Sequence, residues 1–404
     1  MPELLAPAGN FEKLKTALAM GADAVYAAGK AFGLRSQADN FTLEELEEAI
    51  QFVHRHHKKI YITVNILAHP DHLEAIYRFI EWLIPIQPDG IIASDLGVIA
   101  MIRNQYPQLP IHLSTQFSTT NAETIQALQD RFSIRRFNLA RELSADEIAS
   151  IRSSVPSAEL EMFIHGAMCM AYSGRCLLSS VLAGRSSNLG ECTQPCRWDF
   201  SLVESSRSSE SYPIEEDSYG SYILNSKDLC LIDYLPRIVS LGLNALKIEG
   251  RMKSLNYVAT VVSVYRQALD TLADHPERYP ERLEKWQTQL AEADNRYYTT
   301  GFFTGRDRLN MQNYSGIAYA RQYRTIGQVR RIYEKTWILI QIKNPIQRGD
   351  RVEVLTADGR IIPFTLEEFY DIFRQPADQA HPNDFIFIAY TPELPIEAIL
   401  RQKI

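Results

Sequence analysis

Over its first 270 or so residues the chain repeats one pattern: a short apolar, β-branched run, then an amphipathic stretch of ten to fifteen residues. A strand buried on both faces needs a continuous apolar run, and the helix that covers it needs one apolar stripe, so this alternation predicts βαβ units and a parallel sheet. The runs are ELLAP (3–7), AVYAA (24–28), KIYITVNIL (59–67), GIIAS (90–94), IHLSTQF (111–117), RRFNLA (135–140), LEMFIHG (160–166) and NALKIEG (244–250). Eight such units predict an α/β fold of the (β/α)8 TIM-like barrel type, with an open doubly wound sheet as the alternative. The stretches FEKLKTALAMG, TLEELEEAIQFVHRH, HLEAIYRFIEWLI and AETIQALQDRF open near Asn, Thr, Asp and Asn as capped helices do, and Thr42 followed by Glu45 predicts a capping box.

One crossover is long. Some seventy-five residues separate the seventh run from the eighth, and Cys169, Cys176, Cys192, Cys196 and Cys230, the five cysteines of the chain, all lie there. The reading is a barrel over 1–272 with a cysteine-rich insertion at 167–240, placed at the face where barrels gather function. Within it, the Ser- and acid-rich stretch 204–222 reads as an exposed hairpin tip. A polar linker helix and loop follow over 273–312. From 313 to 404 the runs YRTIGQVRRIY, KTWILIQIK, RGDRVEVLT, GRIIPFTL and DFIFIAYT alternate apolar with polar, which predicts a small antiparallel β-barrel domain.

Charge excludes some functions. Forty-nine acidic against forty-two basic residues give a net charge of −7, so any nucleic-acid contact must be local. MPELLAPAGNFEKLK has neither a basic leader nor an apolar core, and no later run would span a membrane, so a cytoplasmic protein with no membrane contact is expected. HRHHKK (54–59), at the junction of a helix and a strand, reads as a solvated helix end.

The spacing C-x6-C-x15-C-x3-C-x33-C lacks the tight pairs of zinc ribbons and ferredoxins. Thiolates ligate both zinc and iron–sulfur clusters, and the spacing leaves the two metals open. Cys169, Cys176, Cys192 and Cys230 are the favoured ligands, with Cys196 as the alternative.

The segment ELEMFIHGAMCMAYSGRCLLSS (159–180) resembles the signature of the peptidase U32 family, from Glu161 through Phe163, Gly166, Ala167, Cys169, Gly174 and Cys176 to Ser179. ELLAPAGNFEKLKTAL, GADAVYAAG, ASDLG, LSTQFSTTN, LARELS, CTQPCR and LKIEGRMKS are family-like blocks as well, and the terminal β module is similar to the C-terminal domain of longer members. The resemblance implies a 4Fe-4S cluster on cysteines and oxygen-independent hydroxylation. Its tRNA branch implies prephenate-dependent 5-hydroxylation of the wobble uridine, tRNA as partner, iron–sulfur assembly machinery, and a paralogous family subunit. The family name carries the alternative of a collagenase-like protease. A third reading is a metal-stabilised RNA-binding protein without catalysis. No G-x-S-x-G elbow or HExxH motif supports a peptidase.

Asn65, Ser94, Asp95, Gln116, Arg141, His165, Glu249 and Arg251 fall at or just past predicted strand ends, where a barrel assembles its pocket. Arg35, Arg141 and Arg251 are candidate forks for a dicarboxylate such as prephenate, because a guanidinium matches a carboxylate bidentately. His165 is a candidate proton donor or a group beside the cluster, and equally a packed rim histidine. Lys247 and Glu249 share one strand face and form a candidate acid/base pair if that face is the lumen. Basic and aromatic residues interleave over 319–333, where Tyr319 or Tyr323 would stack on RNA bases.

Overall fold

A computed structural model describes residues 1–33, 39–169, 171–198, 216–217, 220–221, 226–305 and 322–404. Eight parallel strands form the barrel: Glu3–Pro7, Ala24–Ala27, Lys59–Val64, Gly90–Ala93, Ile111–Leu113, Arg136–Asn138, Glu159–Ala167 and Ala245–Ile248. Each pairs with the next, and the eighth closes the ring by placing Ala245 opposite both Glu161 and Glu3. That closure rules out the doubly wound alternative. Several strands end earlier than their apolar runs. After Leu113, for example, the Ser114 side chain caps a short 3-10 turn, Thr115–Phe117, and turns the chain into a loop.

The covering helices follow their stripes. Leu43–Arg55 buries Leu46, Ala49, Ile50 and Val53, one face at helical spacing, and its capping box forms, with Glu45 N donating to Thr42 Oγ1 at 3.2 Å and Thr42 N to Glu45 Oε2 at 2.8 Å. Asn121 caps Ala122–Phe132. Pro70–Leu83 differs from expectation: His69 holds the cap position and Asp71 lies in the first turn, because Pro70 suits the first helical residue. No helix among the described residues is long and apolar enough to cross a membrane.

The lumen is partly ionic. Leu5, Ala24, Tyr26, Tyr61 and Ile92 pack together as its apolar layer. Beside them runs a chain of buried charges. Lys247 Nζ lies 2.9 Å from Glu161 Oε1, Arg136 Nη1 stands 4.0 Å from Glu161 Oε2, and the same Nη1 donates to Glu3 Oε1 at 2.6 Å. Arg136 Nε also donates to Glu159 at 2.9 Å, and the His112 ring packs 4.4 Å from that of Tyr61. Glu3 and Glu159 begin their strands, so the chain reaches the N-terminal end of the barrel, where His54 also pairs with Asp89 at 3.0 Å.

Between the seventh and eighth strands lie the helix Leu178–Ala183, the turn Pro195–Arg197, the strand Asp228–Cys230 and the helix Leu235–Ser240. Most of 204–222 lies outside the described residues; Glu216–Asp217 and Gly220–Ser221 pair antiparallel.

The chain divides into two compact units, one of 1–11, 23–252 and 295–319, the other of 12–22, 253–294 and 320–404. In the second, the strands Tyr323–Tyr333, Trp337–Ile342, Arg351–Leu355, Ile361–Thr365, Phe385–Ala389 and Ile399–Lys403 form an antiparallel sheet. Ile338, Ile340 and Ile342 alternate into its core with Ile326, Val354, Ile386 and Leu400. Arg401 is fully buried, held by Glu353 at 2.9 Å and Glu292 at 2.6 Å. Tyr323 is buried with its hydroxyl on Glu353 at 3.2 Å, which removes it as a stacking surface, and Tyr319 lies outside the described residues.

Candidate active site at the barrel mouth

The C-terminal ends of strands two to eight surround a narrow cavity of about 50 Å³. Six residues singled out from the sequence line it together: Asn65, Gln116, Arg141, Lys247, Glu249 and Arg251. Lys247 and Glu249 do share the lumen side. Lys247 is the best held: its ammonium sits on Glu161 and 4.5 Å over the Tyr26 ring. Burial pulls its pKa below the ordinary lysine value, and the Glu161 carboxylate opposes that shift. Arg141 lies 4.0 Å over the Phe163 ring, with Nη1 3.9 Å from Cys169 Sγ, so it joins the strand-built cavity to the first cysteine. Arg251 is buried and donates to Asn40 Oδ1 at 3.3 Å. Gly9 is required here, since a Cβ at that position would lie 2.1 Å from the Arg251 carbonyl oxygen.

His165 is elsewhere. It is buried edge-on against Tyr298, with ring centroids 5.2 Å apart, and lines neither mouth cavity. Register explains this: Lys247 faces Phe163, but Ile248 faces His165, so one residue of the seventh strand is skipped and the alternation reverses. Asp95 and Ser94 line an adjoining cavity of about 300 Å³, where Asp95 Oδ1 caps the helix Leu96–Gln105 by accepting from Val98 N at 3.0 Å. Arg35 lies outside the described residues.

The insertion supplies one wall of that larger cavity through Gly174, Arg175 and Asn188. Cys169 is exposed, Cys176, Cys192 and Cys196 half-buried and Cys230 buried. Local bonds tie their segments: Ser187 Oγ donates to the Cys176 carbonyl at 2.7 Å, Thr193 N to Ser179 Oγ at 3.1 Å, and Gln194 N to Cys192 Sγ at 3.4 Å. Among the described residues no three Cys, His, Asp or Glu side chains converge as a metal-holding group, so in this conformation the thiols do not fit a cluster.

Sequence reasoning missed Tyr26, Thr63, Asn138 and Phe163, which line the narrow cavity, and Glu161 beneath it. Parity held the signal: once Asn65 and Lys247 face the lumen, Thr63 and the alternate residues of neighbouring strands follow.

The sequence matches the peptidase family U32 over residues 9–313 and the family's C-terminal domain over 321–401. The chain belongs to peptidase family U32. It is 40% identical over 387 residues to tRNA hydroxylation protein P1 of Bacillus subtilis, covering 95% of this chain and 91% of that protein. It is 35% identical to tRNA hydroxylation protein P of Escherichia coli, covering 98% and 94%. The 23S rRNA 5-hydroxycytidine C2501 synthase of Escherichia coli is 31% identical, over 87% of this chain and 52% of that protein. The U32 resemblance drawn from residues 159–180 therefore holds across barrel and C-terminal domain alike.

Proposed function

We propose that this U32 chain hydroxylates a pyrimidine in RNA, with the wobble uridine of tRNA, modified at C5, as its substrate. The observation that carries the reading is the convergence of Lys247, Arg141, Arg251 and Glu249 beside the cysteine insertion, in a chain whose relatives are named for RNA hydroxylation. Three cations among the described residues of a narrow cavity suit a carboxylate end of a small co-substrate such as prephenate, the rest of which would lie above the cavity at the mouth. Lys247 and Arg251 would orient it, and Glu249 would take or return a proton at the mouth. A serine or cysteine peptidase of the triad type would need a nucleophile beside a histidine, and no histidine lines either mouth cavity among the described residues.

Replacing C5–H by C5–OH with oxygen from water releases two protons and two electrons, so the reaction needs an external two-electron acceptor, and a 4Fe-4S cluster bound by Cys169, Cys176, Cys192 and Cys230, with Cys196 as alternative and zinc as the rival metal, would relay those electrons one at a time. The insertion would have to close around it, since its thiols do not converge as they stand. Loading would fall to iron–sulfur assembly machinery in the cytoplasm, and a paralogous U32 subunit is the partner to seek. The test is nucleoside mass spectrometry of tRNA from a deletion strain. Loss of 5-hydroxyuridine-derived nucleosides, restored by the intact gene, is expected; an unchanged profile would sink the reading.

A further inference from the structure

The larger mouth cavity differs in chemistry from the narrow one with which it shares Asn65 and Gln116. Among the described residues its charged lining is Asp95, whose carboxylate caps a helix, and Arg175, which pairs with no described acid. The side-chain amides of Gln116 and Asn188 make no hydrogen bond with any described residue, so each offers one donor and one acceptor group. Leu67 and Leu96 stand 50% and 45% exposed at its edge, leaving apolar surface to water.

The wall is built rather than draped. Ser118 Oγ donates to the Ser173 carbonyl at 3.0 Å, and Leu67 N to the Asn188 carbonyl at 3.0 Å. Gly174, at φ +74°, passes so close to the fifth-strand loop that a Cβ would lie 2.7 Å from the Gln116 carbonyl oxygen. Arg175 N bonds the Tyr172 carbonyl at 3.1 Å, and that tight turn places Arg175 in the cavity wall.

We infer that this cavity is the subsite for a single unstacked pyrimidine base, with Arg175 at its lip meeting the RNA phosphate. The inference rests on the RNA-hydroxylation reading and adds where the base sits. A pyrimidine edge presents carbonyl oxygens beside a ring N–H, the pattern two free carboxamides read, and its faces suit leucine surface. An enzyme acting on a ring carbon takes the base out of its stack. Among the described residues a dicarboxylate finds one cation here, Arg175, and three in the adjoining cavity, Arg141, Lys247 and Arg251, so the two ligands are sorted by charge, with the base beside the reacting groups.

The experiment measures binding of the purified full-length chain to two anticodon stem-loop RNAs, one with uridine and one with an abasic site at the wobble position. The wild type should bind the uridine RNA about tenfold tighter. Asn188→Leu and Gln116→Leu should cut that ratio to about twofold, each amide bond being worth roughly a fivefold change. Arg175→Ala, at an exposed position, should weaken both RNAs equally and lower the slope of log affinity against log salt by about one. Folded Asn188 and Gln116 variants that keep the tenfold ratio would overturn the base subsite. If those variants unfold, an unaltered salt slope in Arg175→Ala overturns it instead. A wild type that binds both RNAs no better than an unrelated hairpin would bring down the RNA reading itself.

Discussion

The narrow mouth cavity and the cysteine insertion meet at Arg141 and Cys169, yet they are held in opposite ways. In the cavity Lys247 stands on a strand, Asn65, Gln116, Arg141, Glu249 and Arg251 follow within three residues of strand ends, and Lys247 is locked from below by the buried charge chain of Glu161, Arg136 and Glu3. The insertion is fastened by a few backbone and hydroxyl hydrogen bonds, and its thiols do not converge. Strand-borne groups inherit precision from the sheet, whereas loop-borne ligands take theirs from what they bind.

Breaking the charge chain should have the largest effect. Glu161→Gln leaves the Lys247 ammonium buried without its carboxylate, and urea unfolding should show a loss of about 3–5 kcal/mol. Adding Lys247→Met to Glu161→Leu should recover most of it. A loss under about 1 kcal/mol for Glu161→Gln would mean the chain does not stiffen the mouth.

Acid should act next, through His112. Burial first, then the cations Arg136, Lys247 and Lys59, hold its pKa well below the ordinary 6.5. The folded state therefore stays neutral where the unfolded state takes up a proton. Stability is full above pH 6.5 and falls as pH drops below it, approaching about 1.4 kcal/mol per pH unit. Denaturation midpoints at pH 7, 6 and 5 should fall accordingly, and His112→Gln should flatten that part of the decline. An identical slope in the variant would place the acid sensitivity elsewhere.

The smallest effect belongs to the insertion. Cys169 is exposed, so Cys169→Ala should shift the stability of the metal-free chain by no more than about 0.5 kcal/mol while abolishing iron retention after anaerobic purification. A loss above about 2 kcal/mol without metal would make that thiol a structural group and dissolve the contrast between the two regions.

How much of this could be read from residues follows the same division. The barrel was legible because buried parallel strands write themselves as apolar runs; Asn65, Gln116, Arg141, Glu249 and Arg251 followed from strand ends, and Lys247 from sharing a strand face with Glu249. For His165 the sequence left a proton donor and a packed rim histidine equally open, because the skipped residue in the seventh strand that reverses its face leaves no mark in the sequence. Glu161 was visible as a signature residue, but its partner across the lumen is set by closure of the barrel. The roles of Gln116 and Asn188 depend on where the insertion is stapled to the rim, a long-range contact that spacing does not encode.

The proposed function puts RNA hydroxylation at the mouth of the barrel. Its most direct test is to express Lys247→Met in the deletion strain and quantify hydroxylated uridine in tRNA, with protein level and iron content measured alongside. A soluble, iron-loaded variant that restores less than about a hundredth of the modification is the predicted result, since several kcal/mol of transition-state stabilisation would be gone. Full restoration by that variant would contradict the account and move the chemistry away from the barrel mouth.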